Sequence, residues 1–380
     1  MTEDLLTEVA VVRADSYEAH NVEQSIVRLL DLLGGLDRFV KRGMRVLIKP
    51  NLLSAKGPDR AITTHPELVA TVARMVRDLG GRVLIGDSPA GAKTGIQRVW
   101  DETGYSDMAR RNDLELVSFE ASGTTPVAVD TRVYYVSKPA LEADLIINMP
   151  KLKTHVLTLM TGAVKNMFGV IPGFRKGMYH KEAPTPRRFS RIVVDIFSTV
   201  QPELNIMDAV VAMEGDGPAS GTPRTCGLLM ASADAVALDT VAGHIIGLDP
   251  AKVHTTRMAA DAGLGIGWLE GVAVLGESLD SVRVRDFKLT SNRAMEFIPK
   301  LAVDVISPFL WLRPKVDETK CTGCGDCVNS CPTKALQTLN GDGLPSLTKE
   351  LCINCWCCHE ICPADAVFID KSWLARRFIH

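Results

Sequence analysis

Short apolar runs alternate with longer amphipathic segments over most of the chain. The apolar runs have the length of buried strands and predict strands at residues 9–12, 46–48, 83–85, 116–119, 145–148, 204–207 and 228–231. Apolar side chains at helical spacing predict helices at residues 21–33, 64–79, 190–200 and 235–246. The second helix is expected to begin at Thr64, because Glu67 follows three residues later as in a capping box.

This alternation of strand and helix predicts an α/β fold, with a mostly parallel sheet and helices on both faces. Ligands of such sheets collect beyond the carboxyl ends of the strands. We therefore expect an α/β domain at residues 1–293 that carries an anion or substrate pocket. An apolar linker helix is predicted at 294–315, a small α+β domain at 316–370 and a tail at 371–380.

Nine of the ten cysteines lie in the small C-terminal domain, and eight of them form two identical patterns. Each pattern reads C-x2-C-x2-C-x3-C-P, which is the pattern of bacterial two-cluster ferredoxins. Two [4Fe-4S] clusters are therefore expected. In that pattern the fourth cysteine ligates the other cluster, so the ligand sets are predicted to be Cys321, Cys324, Cys327 and Cys362 for one cluster, and Cys331, Cys352, Cys355 and Cys358 for the other.

Other interpretations of these cysteines are weaker. Zinc also binds paired C-x2-C motifs, but two identical four-cysteine runs favour clusters. A disulfide framework suits exported proteins, and the N-terminus does not look like an export signal. Cys357 has no place in the pattern and is expected to point away from the cluster, with alternative ligation as the other interpretation. Cys226 stands alone and is expected to be a small buried side chain.

Polar side chains follow several predicted strands, most densely between residues 148 and 169. The lysines of this stretch have few acidic neighbours in sequence, and such lysines suit a carboxylate or phosphate ligand. The alternative is a solvated basic loop. The residues predicted to bind a substrate are Lys49, Asn51, Asp87, Ser88, Lys151, Lys165 and Asn166.

Proton transfer is assigned to residues near the same strand ends. His155 can exchange a proton near neutral pH, with Lys153 and His180 as alternates, and His180 lies on a stretch expected to form a mobile lid. A mononuclear metal site would need His65, His155 and His180 with Asp87 or Glu214, but no pair of these has helical ligand spacing. The glycine-rich loops match neither common nucleotide motif.

Composition narrows the classes of function. The 380 residues are 46% hydrophobic and 23% charged, with a net charge of −2, so no nucleic-acid partner is expected. Clusters of this kind suit a reducing compartment, and we expect a cytoplasmic protein. An interfacial membrane contact through residues 294–312, helped by Trp373, Arg376 and Arg377, is the less favoured interpretation of the apolar segment.

The upstream motifs resemble those of the domain-of-unknown-function 362 family of iron-sulfur proteins. The resemblance covers about residues 45–250. It is carried by the Lys-Pro-Asn run at 49–51, the Thr-His-Pro run at 64–66, the Gly-Asp-Ser run at 86–88, the stretch from 149 to 167 and the Asp-Ala pair at 208–209. A C-terminal ferredoxin module commonly accompanies that domain. The resemblance implies a shared pocket around Lys49, Asp87, Lys151, Lys153, His155 and Lys165, and it names no substrate.

Two functions fit these observations. The first is a reductase, in which two low-potential clusters receive electrons from a cytosolic donor protein and pass them to an anionic small molecule in the upstream domain. The second is a non-catalytic electron-transfer subunit that docks on a partner protein. A buried set of lysines and histidines at the strand ends would favour the reductase. A non-redox enzyme with structural clusters is a third hypothesis.

Overall fold

The structure is a computed structural model that describes residues 6–89, 96–173, 175–183, 185–290, 312–338 and 343–373. The strands are β1 (Thr7–Arg13), β2 (Arg45–Pro50), β3 (Arg82–Asp87), β4 (Glu115–Ser118), β5 (Thr124–Val129), β6 (Arg132–Ser137), β7 (Leu145–Met149), β8 (Lys151–His155), β9 (Leu159–Thr161), β10 (Leu204–Glu214), β11 (Thr222–Ser232), β12 (Val272–Gly276), β13 (Leu312–Val316), β14 (Leu336–Thr338), β15 (Pro345–Leu347) and β16 (Val367–Lys371).

The helices lie between these strands along the chain. They are α1 (Ala19–Asp31), α2 (Pro66–Asp78), α3 (Ile96–Glu102), α4 (Tyr105–Asn112), α5 (Lys138–Glu142), α6 (Ala163–Asn166), α7 (Arg175–Glu182), α8 (Pro186–Thr199), α9 (Ala235–Ile245), α10 (His254–Asp261), α11 (Leu279–Val282), α12 (Asp326–Asn329) and α13 (Cys357–Ile361).

One large sheet organises the first 290 residues. Its order is β12-β1-β11-β10-β7-β2-β3-β4, and β8 pairs with β10 and β9. The pairs β2/β3, β2/β7, β3/β4 and β7/β10 are parallel, whereas β11 is antiparallel to both of its neighbours. The predicted α/β fold with a mostly parallel sheet is confirmed.

The sheet separates two apolar cores. Successive side chains of a strand point to opposite faces, so Leu47 joins one core while Val46 and Ile48 join the other. Helices α1, α2 and α4 cover the Ile48 side, and helices α6, α8 and α9 cover the Leu47 side. This burial is why the predicted strands read as nearly continuous apolar runs.

The start of α2 differs from the prediction by one residue. His65, not Thr64, is the N-cap, and its Nδ1 accepts a hydrogen bond from the backbone amide of Glu67 at 3.3 Å. Thr64 instead turns inward, where its hydroxyl donates to the carbonyl of Met149 at 2.6 Å. The side chain that was expected to cap the helix therefore ties α2 to the end of β7.

The C-terminal domain shows the internal repeat of its cysteine pattern. Strands β13 and β16 pair antiparallel, β14 and β15 form a second pair, and each cysteine loop leads into a short helix, α12 or α13. The predicted linker helix at 294–315 is wrong at its end, because β13 occupies residues that we assigned to it. Its remainder, 294–311, lies outside the described residues. No helix in the described part of the chain has the length and apolar character needed to cross a bilayer.

Candidate functional site

A cavity of about 670 Å³ lies where the large sheet meets the C-terminal domain. This volume is within the usual range for small-molecule sites, about 300–1,000 Å³. Seven of the ten upstream residues predicted for the site line it, namely Asn51, Asp87, Ser88, His155, Lys165, Asn166 and His180. The other three, Lys49, Lys151 and Lys153, are buried and do not line it.

The topology explains why these side chains meet. Strands β2, β3 and β7 are parallel neighbours, so their carboxyl ends lie at one edge of the sheet. Lys49 of β2 is in register with Asn148 of β7, and Asp87 ends β3. The cavity is at this edge, as the strand pattern predicted.

Lys49 is held in a buried ion pair. Its Nζ lies 2.8 Å from Oδ1 of Asp87, and both side chains are almost completely buried. Burial lowers the pKa of Lys49, and the carboxylate of Asp87 opposes that shift. Gly169 lies against the pair: a Cβ at this position would be 2.6 Å from the amine. Lys49 is therefore part of the wall behind the cavity, not a free cation within it.

Lys151 has a similar structural role. Its Nζ donates to Asp208 and to the hydroxyl of Tyr17, both at 2.8 Å. Tyr17 in turn donates to Asp208 at 2.7 Å and stacks on His65 with ring centroids 3.8 Å apart. The expectation that the lysines of residues 148–169 have few acidic partners is thus wrong for Lys151, because its partner Asp208 comes from a distant part of the chain.

Lys153 and His155 lie on β8, whose five residues are all buried. This rules out the solvated loop that was the alternative interpretation. Lys153 donates to the carbonyl of Ile62 at 2.7 Å. Burial lowers its pKa well below the usual value, and nearby Lys165 lowers it further. Lys153 is therefore an amine behind the cavity whose surroundings favour its uncharged form.

Hydrogen bonds to His155, which lines the cavity, determine which of its ring nitrogens carries the hydrogen. Its Nδ1 accepts hydrogen bonds from the backbone amides of Leu157 at 3.0 Å and Thr158 at 3.3 Å. The neutral ring therefore carries its hydrogen on Nε2, which faces Glu360 at 3.8 Å. Burial, together with Lys165, lowers the pKa of His155 well below 6.5, so the neutral imidazole dominates at pH 7.

Lys165 and Lys176 are the lysines that line the cavity. Among the described residues, the side-chain amine of Lys165 makes no hydrogen bond or ion pair. Burial lowers its pKa, and Glu360 opposes that shift. Lys176, on α7, donates to the carbonyl of Ser88. Burial lowers the pKa of Lys176 to about 8. Both amines are placed to meet an anion.

His180, on α7, also lines the cavity, but its ring is too weak a base to exchange a proton near neutral pH. Its ring stacks on Phe189 at 4.1 Å between centroids. Burial lowers its pKa to about 3, and Lys165 and Lys176 add to the shift. At neutral pH, His180 is an uncharged part of the cavity wall.

The C-terminal domain supplies the opposite wall, which the sequence did not predict. Ser330, Cys357 and Glu360 line the cavity from that side. Glu360 is buried, which raises its pKa, while Lys165 and Lys153 oppose the shift. The available signal was the repeat itself: Glu360 occupies the place where the first repeat has the neutral Asn329.

The eight patterned cysteines surround two small spaces. Cys321, Cys324, Cys327 and Cys362 line one, and Cys331, Cys352, Cys355 and Cys358 line the other. Backbone amides donate to the fourth sulfur of each run, from Ala335 to Cys331 at 3.1 Å and from Ala366 to Cys362 at 3.2 Å. Cys357, which we expected to point away, borders both the second space and the cavity.

A mononuclear metal site is not assembled in the part of the chain that the structure describes. There, no three His, Cys, Asp or Glu side chains converge where one ion could sit. His65 stacks on Tyr17, and Glu214 accepts from the amide of Lys288 at 3.1 Å. The four-cysteine sets likewise enclose a space instead of meeting at a point, an arrangement that suits a cube of iron and sulfur.

Comparison with known families agrees with both domains. Residues 46–244 match the domain of unknown function DUF362, and residues 314–337 match the 4Fe-4S binding domain. The chain belongs to the DUF362 family. Its C-terminal domain is a ferredoxin-like domain with at least one 4Fe-4S cluster, which gives this DUF362 protein an iron-sulfur electron-transfer role.

Relatives extend over both parts of this DUF362 protein. A thylakoid-associated protein of Synechocystis sp. is 41% identical over 264 residues, which are 69% of this chain and 81% of the relative. A ferredoxin of Methanothermococcus thermolithotrophicus is 34% identical over 58 residues, 15% of this chain and 95% of the relative. One polypeptide of the anaerobic dimethyl sulfoxide reductase of Haemophilus influenzae is 44% identical over 54 residues, 14% of this chain and 26% of the relative.

Among solved structures, the lactate racemase apoprotein of Thermoanaerobacterium thermosaccharolyticum superposes with a TM-score of 0.39 at 12% identity. The match covers 62% of this chain and 56% of the racemase. This likeness is too low to bear on function.

Proposed function

We propose that this DUF362 protein is a reductase whose C-terminal domain delivers electrons to an anionic substrate in the cavity between the domains. One observation carries the proposal: Cys357 borders both the cavity and the space enclosed by Cys331, Cys352, Cys355 and Cys358. A ligand beside Lys165 would be separated from that four-cysteine set by little more than the Cys357 side chain.

The residues present fit two [4Fe-4S] clusters. Each set has four thiols around one enclosed space, and a backbone amide donates to one sulfur of each set, as is usual around such clusters. When bound, the clusters supply single electrons at low potential. The set next to the cavity is the one that contains Cys358, and the other set is closer to solvent because Cys324 is exposed.

Lys165 and Lys176 have the task of binding the anion. Lys165 has no partner among the described residues, and Lys176 has only a carbonyl, so both can donate charge-assisted hydrogen bonds to a carboxylate. The same amines stabilise negative charge that develops when the substrate receives electrons. Lys49 and Lys151 cannot share this task, because Asp87 and Asp208 already neutralise them.

Proton transfer falls to Lys176. With a pKa of about 8, its ammonium is populated at neutral pH and can release a proton to the substrate. His155 and His180, the sequence-based candidates, remain neutral at that pH. His155 can still orient the substrate through Nε2–H. A C=C or C=O bond of the substrate would gain two electrons and two protons, one proton from Lys176 and one from solvent, with a low-potential electron-carrier protein as the source of electrons.

The test follows the reoxidation of reduced protein without oxygen. Protein with intact clusters is reduced with dithionite, freed of excess reductant and mixed with fumarate, pyruvate, 4-hydroxycinnamate or urocanate, of which the last two carry an O–H or N–H donor beside the unsaturated carboxylate. We expect at least one of these carboxylates to reoxidise the protein. In Lys165→Met the rate at low substrate concentration should fall about tenfold or more, because a hydrogen bond to a charged group contributes about 1.5–3 kcal/mol.

The matched control is Lys252→Met, which removes an exposed lysine that pairs with Asp249 and does not line the cavity. It should behave as wild type. Reoxidation that is equally fast in Lys165→Met would contradict the proposed site. If none of the four compounds reoxidises the wild-type protein, the alternative gains: a non-catalytic subunit that docks on a partner protein. The resemblance of the cluster domain to one polypeptide of the dimethyl sulfoxide reductase is the observation that favours that alternative.

A further inference from the structure

Three oxygen atoms at the cavity have unmet hydrogen-bonding capacity. They are Oδ1 of Asn51, Oγ1 of Thr161 and Oδ1 of Asn166, all buried and without a hydrogen-bond partner among the described residues. Oδ1 of Asp87 also lacks a hydrogen bond there, but it is not counted with them because it faces the Lys49 amine at 2.8 Å in an ion pair. All three residues line the cavity, and the Thr161 and Asn166 side chains are more than nine-tenths buried. Buried polar atoms are almost always paired in folded proteins, so a cluster of unpaired ones at one cavity points to a ligand.

A chain of amides determines which atom Asn166 presents. The carbonyl of Ser232 can only accept, so Asn205 must turn its Nδ2 toward it, at 3.2 Å. Oδ1 of Asn205 then accepts from Nδ2 of Asn148 at 2.8 Å, and Oδ1 of Asn148 accepts from Nδ2 of Asn166 at 2.7 Å.

The direction of every amide in this chain is therefore set from the interior of the sheet. Nδ2 of Asn148 also donates to the carbonyl of Ala163 at 3.0 Å, which fixes the same orientation independently. Because Nδ2 of Asn166 is committed inward, the atom that remains unpaired is the acceptor Oδ1. The ligand must bring a hydrogen-bond donor to this atom.

The rest of the cavity wall defines the remainder of the ligand. Lys165 and Lys176 require an anionic group. Leu52, Phe168 and Met178 contribute apolar surface, which suits a hydrocarbon or heteroaromatic body. An inorganic anion would leave this apolar surface and much of the 670 Å³ unfilled.

We propose that the cavity binds an organic carboxylate that carries an N–H or O–H donor on an unsaturated ring or chain, with the donor directed at Oδ1 of Asn166. This proposal rests on the proposed function and specifies its substrate class. An isosteric carboxylate with an acceptor in place of the donor would set two acceptors against each other and leave Asn166 unpaired.

The experiment compares two ligands of nearly the same shape, pyrrole-2-carboxylate and furan-2-carboxylate, which differ in a ring N–H against a ring oxygen. Isothermal titration calorimetry is done without oxygen on protein with intact clusters. We expect the pyrrole to bind about fivefold more tightly or better, as one net hydrogen bond allows. In Asn166→Leu this preference should shrink to within about twofold.

Asn112→Leu, on α4 and outside the cavity lining, is the matched control and should keep the preference. Asn51→Leu provides a second test if Asn166→Leu fails to fold or to hold its clusters, and should reduce the preference as well. Equal binding of the two ligands to the wild type, or binding of neither, would overturn the inference. If both bind equally and both are weakened in Lys165→Met, the anion site of the proposed function stands and only the donor requirement fails.

Discussion

At the scale of single residues, the lysines of the strand ends divide into two kinds by their partners. Lys49 and Lys151 are paired with Asp87 and Asp208 inside the domain, whereas Lys165 faces the cavity. Asp208 lies 57 residues from Lys151 along the chain. The sequence could identify the lysines as a group, but it could not separate structural from ligand-binding members without knowing the strand order.

The structural role of Lys151 predicts a loss of stability when this lysine is replaced. Lys151→Met leaves Asp208 as an uncompensated buried charge, so the free energy of unfolding should fall by about 3–5 kcal/mol. Lys165→Met removes no ion pair among the described residues and should change it little. Urea unfolding of both variants, beside the surface variant Lys252→Met, measures the difference. A Lys151→Met protein as stable as wild type would contradict the structural role.

The ligand-binding role of Lys176 predicts that ligand affinity depends on pH. Because the pKa of Lys176 is lowered to about 8, its positive charge is present below that pH and is lost as the pH rises through it. Affinity for pyrrole-2-carboxylate should therefore be level near pH 6.5 and should weaken between pH 7 and 9. Lys176→Gln should bind pyrrole-2-carboxylate more weakly at pH 6.5, and its affinity should vary less with pH. Calorimetry from pH 6.5 to 9 measures both effects, and an unchanged pH dependence in Lys176→Gln would contradict the prediction.

At the scale of elements, the apolar runs predicted the strands of the central sheet well. Burial on both faces makes strands such as β2 and β7 apolar throughout. The polar strand β8 escaped prediction, because its lysines, threonine and histidine are buried through specific partners. The hairpin of β5 and β6 was also missed, since half-exposed strands lack a continuous apolar run.

The cysteine loop at residues 352–358 and helix α13 allow a test of the predicted cluster ligands. Cys358→Ala should remove one cluster, while Cys357→Ala should retain both, because Cys357 lies outside the repeated pattern. Iron analysis with electron paramagnetic resonance of the reduced proteins distinguishes the two results. Loss of a cluster in Cys357→Ala would show that this side chain, which borders the second space, is a ligand.

At the scale of the whole molecule, the C-terminal domain closes the cavity by docking on the large sheet. Asp365 accepts from the buried Lys56 and from Arg60, the latter at 2.7 Å. Arg98 reaches Asp326 at 3.2 Å on the other cysteine run. Sequence patterns predicted each domain separately, but they contained no information on which faces meet, and the cavity exists only because those faces meet.

This contact predicts a coupled loss. Asp365→Ala leaves Lys56 buried without its carboxylate, so the domains should separate more often while the clusters stay intact. Amide hydrogen exchange of residues 56–61 and 357–361 should become faster, and reoxidation by carboxylates should slow. Glu350→Ala, at an exposed site of the same domain, is the control. Unchanged exchange in Asp365→Ala would show that other contacts hold the domains together.

The most direct test of the account measures the distance between ligand and cluster. Pulsed electron paramagnetic resonance of the dithionite-reduced protein with ¹⁵N-labelled pyrrole-2-carboxylate detects nitrogen close to a reduced cluster. We expect a ¹⁵N coupling in the wild type and in Cys324→Ala, which retains the set beside the cavity, and we expect its loss in Cys358→Ala. A ligand that binds in a Lys165-dependent manner but shows no coupling in the wild type would contradict delivery of electrons to this cavity.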